Sequence, residues 1–294
     1  MMTAEVLDVS TLRSKAHMVR SEVLRLTEIA GSGHYGSAFS IAEILTALYY
    51  RFLRLRPAEP QWADRDRFTM GKGHAMIAVY PILADLGFFP KSVLDTYTRL
   101  KSPLGDHPDM RKVPGADFSS GSIGHNLSVS VGMALALNVR RSDARVVCMM
   151  GDGEQAEGQV WEAAALAGFR KLSNLIAIVD RNKVQSDDAC ATVLDMEPLD
   201  EKYRAFGWDV VHLADGHDWT QILDTFALVF DGTRTKPVAI LADTVAGKGV
   251  SFMETTWQWH LGYLGPADYR RAQAELDAQA ASFSKPRTSG ENGR

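Results

Sequence analysis

The chain has 294 residues, with 32 Lys and Arg against 36 Asp and Glu and a formal net charge of −4. Apolar residues make up 46% and charged residues 23%, which is ordinary globular composition. Two cysteines, Cys148 and Cys190, are too few for a disulfide-stapled secreted scaffold. The slight acidic excess argues against a nucleic-acid partner, and no apolar run approaches the roughly 18 residues of a membrane span. The opening MMTAEVLDVS lacks the basic-then-apolar pattern of a secretion signal, so a cytoplasmic protein is expected. Many of the 24 glycines fall in short clusters (GSGHYG, GKGH, GDG, GKG), where backbone must pass close to something.

The first 30 residues read as a helix: Leu12, Ala16, Val19, Val23, Leu24, Leu26 and Ile29 recur near helical spacing. Gly31 and Gly33 stop it. A second helix is predicted over 41–52, with Ser40 as N-cap and Glu43 three residues later in a capping-box pattern. Residues 54–70 read as a polar loop, 74–87 and 90–100 as helices, and 101–122 as irregular chain broken by Pro103, Pro108 and Pro114. A small-residue helix follows at 125–139. Four short runs rich in Val and Ile, at 145–150, 175–180, 209–213 and 238–243, read as strands separated by helices at 157–170, 198–206 and 219–230. Such alternation predicts an α/β fold: a parallel sheet with helices on both faces and all strand C-terminal ends on one edge, where ligands bind. A single domain over 1–281 is expected, with 282–294 a disordered polar tail.

The first run leads straight into GDGE and the second into RNKVQ, with 28 residues between Gly153 and Asn182, the length of one helix and its turns. Asp152 and Asn182 should therefore stand side by side at adjacent strand tips. An Asp-Gly turn alone is common at strand ends. Paired with an amide oxygen, however, the carboxylate offers hard-oxygen ligation suited to Mg²⁺ or Ca²⁺ completed by phosphate and water. Gly151 and Gly153 allow close backbone approach, and a helix starting near Glu157 would offer free N–H groups to an anion. The pattern points to a metal–diphosphate site.

GDGEQAEGQVWEAA followed by KLSNLIAIVDRNKVQSD resembles the thiamine diphosphate signature in the form used by transketolases. The segments DRDRF, KGHA, GDHPD, GSIGH, GKGVSFME and WH occur in the order of a transketolase N-terminal half, and the resemblance runs from about residue 15 to 270. It implies the diphosphate-binding domain of the thiamine-diphosphate fold. Asp152, the side-chain oxygen of Asn182 and the backbone carbonyl of Val184 would hold Mg²⁺, with Ca²⁺ able to substitute. Gly124, Gly153, Glu157, Asn182, His74 and His260 would contact cofactor. The catalytic set carried over is His34, His74, His107 and His260, the first and third facing the sugar. Glu157 and Glu162 would lie at a subunit interface. Lys72 and Lys248 read by default as solvated, His217 as structural before a helix capped by Asp218, and His17 and His212 as a surface and a strand residue.

The chain departs from the family pattern at His34-Tyr35-Gly36-Ser37 (usually His-Pro-Gly-Gly), at Gly124-His125-Asn126 (usually Gly-Gln-Gly) and at Leu261, where glycine usually follows the histidine. Asn126 is expected to keep its loop because asparagine tolerates positive φ. These changes leave the metal residues intact and direct attention to a non-standard sugar. No stretch after residue 270 resembles the pyrimidine-binding or C-terminal domain. The resemblance therefore implies the N-terminal subunit of a split transketolase, partnered by a C-terminal subunit in an α2β2 assembly that works on sugar phosphates, with neither nucleic acid nor membrane as partner. The α subunit of a 2-oxo-acid dehydrogenase, which shares the metal motif, and a non-catalytic regulatory module of thiamine fold are the alternatives.

Overall fold

A computed structural model describes residues 7–283. In chain order its elements are α1 (Val9–Ala30), α2 (Tyr35–Phe39), α3 (Ala42–Ala47), β1 (Arg67–Met70), α4 (Val79–Leu86), α5 (His125–Val139), β2 (Val146–Gly151), α6 (Gly158–Phe169), β3 (Leu175–Arg181), α7 (Cys190–Val193), α8 (Leu199–Ala205), β4 (Asp209–Leu213), α9 (Trp219–Val229), β5 (Val238–Asp243) and α10 (Pro266–Phe283). The five strands form one parallel sheet in the order β1-β2-β3-β5-β4. Each inner strand reads as continuously apolar because both of its faces are covered. Along β2, Val147 and Met149 enter a core with α1, α3, α4, α9 and α10. Val146, Cys148 and Met150 enter a second core with α5, α6 and α8. The period-2 alternation of a strand thus divides one hydrophobic run between two cores.

The four strands expected from sequence are present. The fifth, β1, lies inside the stretch that reads as a polar loop. Its charged approach is buried rather than solvated: Arg65 and Asp66 are 4% and 2% exposed. Arg65 makes a two-pronged bond to Asp117 (2.9 and 2.5 Å), whose Oδ2 also accepts the N–H of Phe68. Asp66 accepts the N–H groups of Arg54 and Arg145, tying the strand to the start of β2. Those partners are distant in sequence, so a local reading sees only a charge run.

Other differences have local causes. The helix after Ser40 starts at Ala42 and passes into a wider π turn over Leu48–Phe52. Ser40 does not cap it, because its hydroxyl is turned to Ser37 and Asp180. The 74–87 helix opens as a 3-10 segment, Gly73–Ala78. The 90–100 helix is only a 3-10 segment, Lys91–Thr96, and Thr98 and Lys101 beyond it have positive φ. α1 begins at Val9, capped by Asp8, and ends at the left-handed Gly31. α9 is capped by Asp218, as expected. α10 is an element beyond those expected; it packs on α1 through Ala272 and Leu276 and runs two residues into the segment that reads as a tail. The remainder of that tail, 284–294, lies outside the described residues.

Glu43 is not part of a capping box. It is buried and bonded by both carboxylate oxygens to Arg20 (2.5 and 2.7 Å), with Arg20 also donating to the Phe39 carbonyl. His217 adds a contact at 3.0 Å through Nδ1, while its Nε2 accepts the N–H of Val245. An Nε2 that accepts carries no proton, so Nδ1 is the donor to Glu43. His217 is thus structural, as expected. Burial alone would raise the Glu43 pKa, but the Arg20 charge and the His217 bond hold it at about 2. Its stabilisation is therefore complete above the unfolded value near 4.5 and is lost as pH falls toward 2. Glu43→Gln should destabilise the fold by about 3–5 kcal/mol, because Arg20 is left buried without its counter-charge. Urea denaturation should show a constant wild-type advantage above pH ~5 that shrinks between pH ~4.5 and ~2.

Candidate active site

The strand tips gather the site. β2 and β3 are neighbours with Gly151 opposite Asp180, and the Asp152 N–H donates to the Asp180 carbonyl at 3.1 Å. Asp152 Oδ1 accepts from Gly153 N (2.9 Å) and Oδ2 from Lys183 N (2.6 Å). The Cys190 thiol adds a side-chain hydrogen bond to the same carboxylate. Asn182 Nδ2 donates to Asp180 Oδ2 at 2.8 Å, and its Oδ1 accepts from Val184 N at 3.0 Å. Asp152 and Asn182 thus meet across the strand tips, as their spacing predicts. Burial, then the nearby Asp180 charge, raises the Asp152 pKa to about 6.

Asp152, Gly153, Asn182 and Val184 line a cavity of about 190 Å³. Three imidazoles share its lining: His34 and His74 with ring centroids 4.5 Å apart, His34 and His260 5.7 Å, and His74 and His260 5.2 Å. Burial, then the neighbouring histidines, holds the His74 pKa well below its ordinary value. Burial, followed by His34 and Lys72, lowers that of His260 to about 4. Both rings are neutral at pH 7, each with one donor and one acceptor nitrogen.

The remaining expected site residues fall differently. His107 does not line the cavity. It stands behind Gly73, where an added Cβ would come within 3.0 Å of its ring, and 3.3 Å from Asp106. Gly124 and Glu157 also stand off. They pack on one another, so closely that a Cβ on Gly124 would lie 2.5 Å from that of Glu157. Glu157 and Glu162 are exposed on this single chain. Glu154 takes the place at the cavity wall given to Glu157. Its carboxylate is buried and accepts the N–H groups of Gly124 (2.7 Å) and Gly151 (3.2 Å). Burial raises its pKa to about 7 against those bonds. Its signal is in plain view as the fourth letter of GDGE. Lys72 overturns the expectation of a solvated lysine: it is 3% exposed, lines the cavity, and donates to Asp180 and to the Ser37 carbonyl. The Lys248 side chain is half-buried and pairs with Glu254 at 3.6 Å.

The cavity suits a metal-bound diphosphate. Ser37 Oγ, His74 Nε2 and Gln185 Nε2 are buried in its wall without a hydrogen-bond partner. Buried polar atoms normally have one. A Cβ on Gly153 would meet the Gln185 side chain at 3.0 Å, so glycine keeps this approach open. Among the described residues no three His, Cys, Asp or Glu form a cage. Asp152 and Asn182 supply the hard oxygens that Mg²⁺ takes together with phosphate oxygens and water.

Comparison with known proteins agrees with the geometry. The family described as "Transketolase, thiamine diphosphate binding domain" matches residues 13–290. The chain belongs to the transketolase family. It is 40% identical over 270 residues to the 6-deoxy-6-sulfo-D-fructose transketolase subunit SqwG of Clostridium sp. (strain MSTE9), covering 92% of this chain and 98% of that one. It is 37% identical to an apulose-4-phosphate transketolase subunit of Phocaeicola vulgatus, covering 95% and 98%. The solved transketolase of Campylobacter jejuni superposes with a TM-score of 0.86 at 26% identity, over 94% of this chain and 46% of that one. The chain thus spans nearly the whole of these transketolase subunits and under half of the solved transketolase.

Against the transketolase pattern, the three departures have distinct effects. Tyr35 is buried (1%), and Ser37 brings its unpartnered hydroxyl to the cavity wall. Asn126 does not adopt the positive φ expected of it. It sits fully buried in the first turn of α5, while Gly124 keeps the left-handed conformation. Leu261 is exposed beside His260. Histidine-selective NMR should find the His260 ring neutral until the pH falls to about 4. Because its unfolded value is near 6.5, this group should subtract stability as pH drops from 6.5 to 4.

Proposed function

We propose that this transketolase-family chain is the cofactor-binding subunit of a two-chain transketolase, moving a two-carbon ketol unit from a ketose donor to an aldose acceptor. The observation that carries this reading is one cavity lined both by Asp152 and Asn182 and by three close imidazoles, His34, His74 and His260. Asp152, Asn182 and the Val184 carbonyl would hold Mg²⁺, and Gly153 would let the diphosphate approach. Thiamine diphosphate, when bound, supplies the nucleophilic carbon and the electron sink for cleaving the donor's carbon–carbon bond. His74 and His260 line the cavity where the cofactor would sit, and each imidazole could accept a proton at its free nitrogen and return it. His34 and His107 bind and orient the sugar hydroxyls, with Asp106 between them (3.6 and 3.3 Å). The second chain supplies the pyrimidine-binding and C-terminal domains, in an α2β2 assembly with Glu157 and Glu162 at the interface. The described residues, 7–283, act as one domain.

No helix among the described residues is long and apolar enough to cross a membrane, in keeping with work in the cytoplasm. The substrate is a ketose other than the common pentose phosphates. Two relatives are named for 6-deoxy-6-sulfo-D-fructose and apulose 4-phosphate, and of the departures Ser37 lines the cavity while Leu261 follows the lining residue His260.

Asp152→Ala should weaken Mg²⁺-dependent binding of thiamine diphosphate by more than the roughly 10–100-fold typical of ligand-supporting residues. Circular dichroism should be unchanged. Calorimetry with thiamine diphosphate and Mg²⁺ checks this, and unaltered affinity contradicts the assignment. Turnover should require both chains. A donor–acceptor screen of the assembled enzyme that gives full activity with xylulose 5-phosphate and ribose 5-phosphate, and nothing better, would refute the sugar assignment. Absence of binding with and without the second chain would favour a regulatory protein.

A further inference from the structure

Asp180 is fully buried and has no role among the groups assigned above. Its Oδ2 accepts from the Ser40 hydroxyl (2.7 Å), the Lys72 ammonium and Asn182 Nδ2 (2.8 Å). Its Oδ1 accepts from the Thr244 hydroxyl. The four donors come from four places: the α2–α3 junction, the segment after β1, the tip of β3 and the segment after β5. One carboxylate therefore joins three strand tips to a helix junction.

The consequence for Asn182 is specific. An amide side chain has a donating and an accepting end of nearly equal size, and either could face a cation after a half-turn about its last bond. A cation needs the oxygen. A charged carboxylate only accepts, so the nitrogen must face Asp180. The Val184 N–H only donates, so the oxygen must face the loop and the cavity. Asn182 is 6% exposed, and water has little room to substitute for either partner. The same carboxylate holds the Lys72 ammonium in the cavity wall.

We propose that Asp180 is the positioning residue of the metal site: it locks the Asn182 amide with its oxygen toward the cation and sets Lys72 beside the diphosphate. The proposal rests on the metal and cofactor reading above and adds the group that makes Asn182 a competent ligand. Groups that orient metal ligands are typically worth about 10–100-fold in metal affinity.

The test titrates Mn²⁺, read by electron paramagnetic resonance, into the protein with thiamine diphosphate, in the presence of its partner subunit where the chain alone takes up none. Asp180→Leu should lower manganese affinity at least tenfold. Asp180→Asn keeps an oxygen available to Asn182 and should recover most of it. Thr244→Val removes a bond to the same carboxylate without touching Asn182. It should lower the urea midpoint and leave affinity within about twofold. Affinity that follows the urea midpoint across all three variants would reduce Asp180 to a structural residue and overturn the proposal, as would wild-type affinity in folded Asp180→Leu. Wild-type protein that takes up no manganese overturns the site reading itself and the proposal with it. Should Asp180→Leu fail to fold, a crystal structure of the wild type with Mn²⁺ and thiamine diphosphate decides. The Asn182 oxygen on the metal and its nitrogen on Asp180 support the proposal; the reverse, or a broken Asp180 contact, refutes it.

Discussion

A charged carboxylate with no access to water must be bonded on every side or it is too costly to keep. Asp180 meets that requirement with Ser40, Lys72, Asn182 and Thr244, and the rest of the site is arranged around it. Each donor comes from a different segment, so the carboxylate can be bonded in this way only when β1, β3, β5 and the α2–α3 junction are all in place. The condition that stabilises one buried charge is thus the same condition that assembles the cavity.

The sheet makes such a condition possible. Its inner strands are apolar on both faces, and the helices pack against them in two separate cores. Polar chemistry is confined to the strand ends, where backbone groups leave the ladder and glycines allow close approach. The surrounding apolar mass keeps the cavity wall dry, strengthening every electrostatic interaction within it. The same dryness raises the pKa of Asp152 and Glu154 and lowers those of His74 and His260. All four shifts favour the uncharged form, and burial is the largest cause of each.

Charge balance follows. Asp152 and Glu154 in the wall and Asp180 behind it are matched by Lys72, which Asp180 already engages. A divalent cation between Asp152 and Asn182 would redress the excess and carry a diphosphate with it. This is how a chain of net charge −4 can serve an anionic cofactor without a basic surface. Neutral imidazoles suit the same place, because they add no charge at rest and each can take up a proton from a hydroxyl, turning cationic only until it gives the proton back.

Asp152 and Asn182 are legible in the sequence because adjacent parallel strands joined by one helix must bring their tips together, and that spacing is local. Strands β2 to β5 and the capped α9 are legible for the same reason: the signals lie within a few residues. Glu43, Arg65 and Lys72 are not, since each reads as an ordinary surface charge until its partner (Arg20, Asp117, Asp180) arrives from a distant segment. β1 is hidden by that same charge run, and Glu157 stands in for Glu154 in a local reading because both suit the start of a helix. The sequence alone determined the parallel sheet and brought Asp152 and Asn182 to neighbouring strand tips on one edge. Only the tertiary structure decided which charges are buried, which way the Asn182 amide faces and which histidines share the cavity. Pairing and burial depend on contacts between segments far apart in the chain, and no local pattern encodes them.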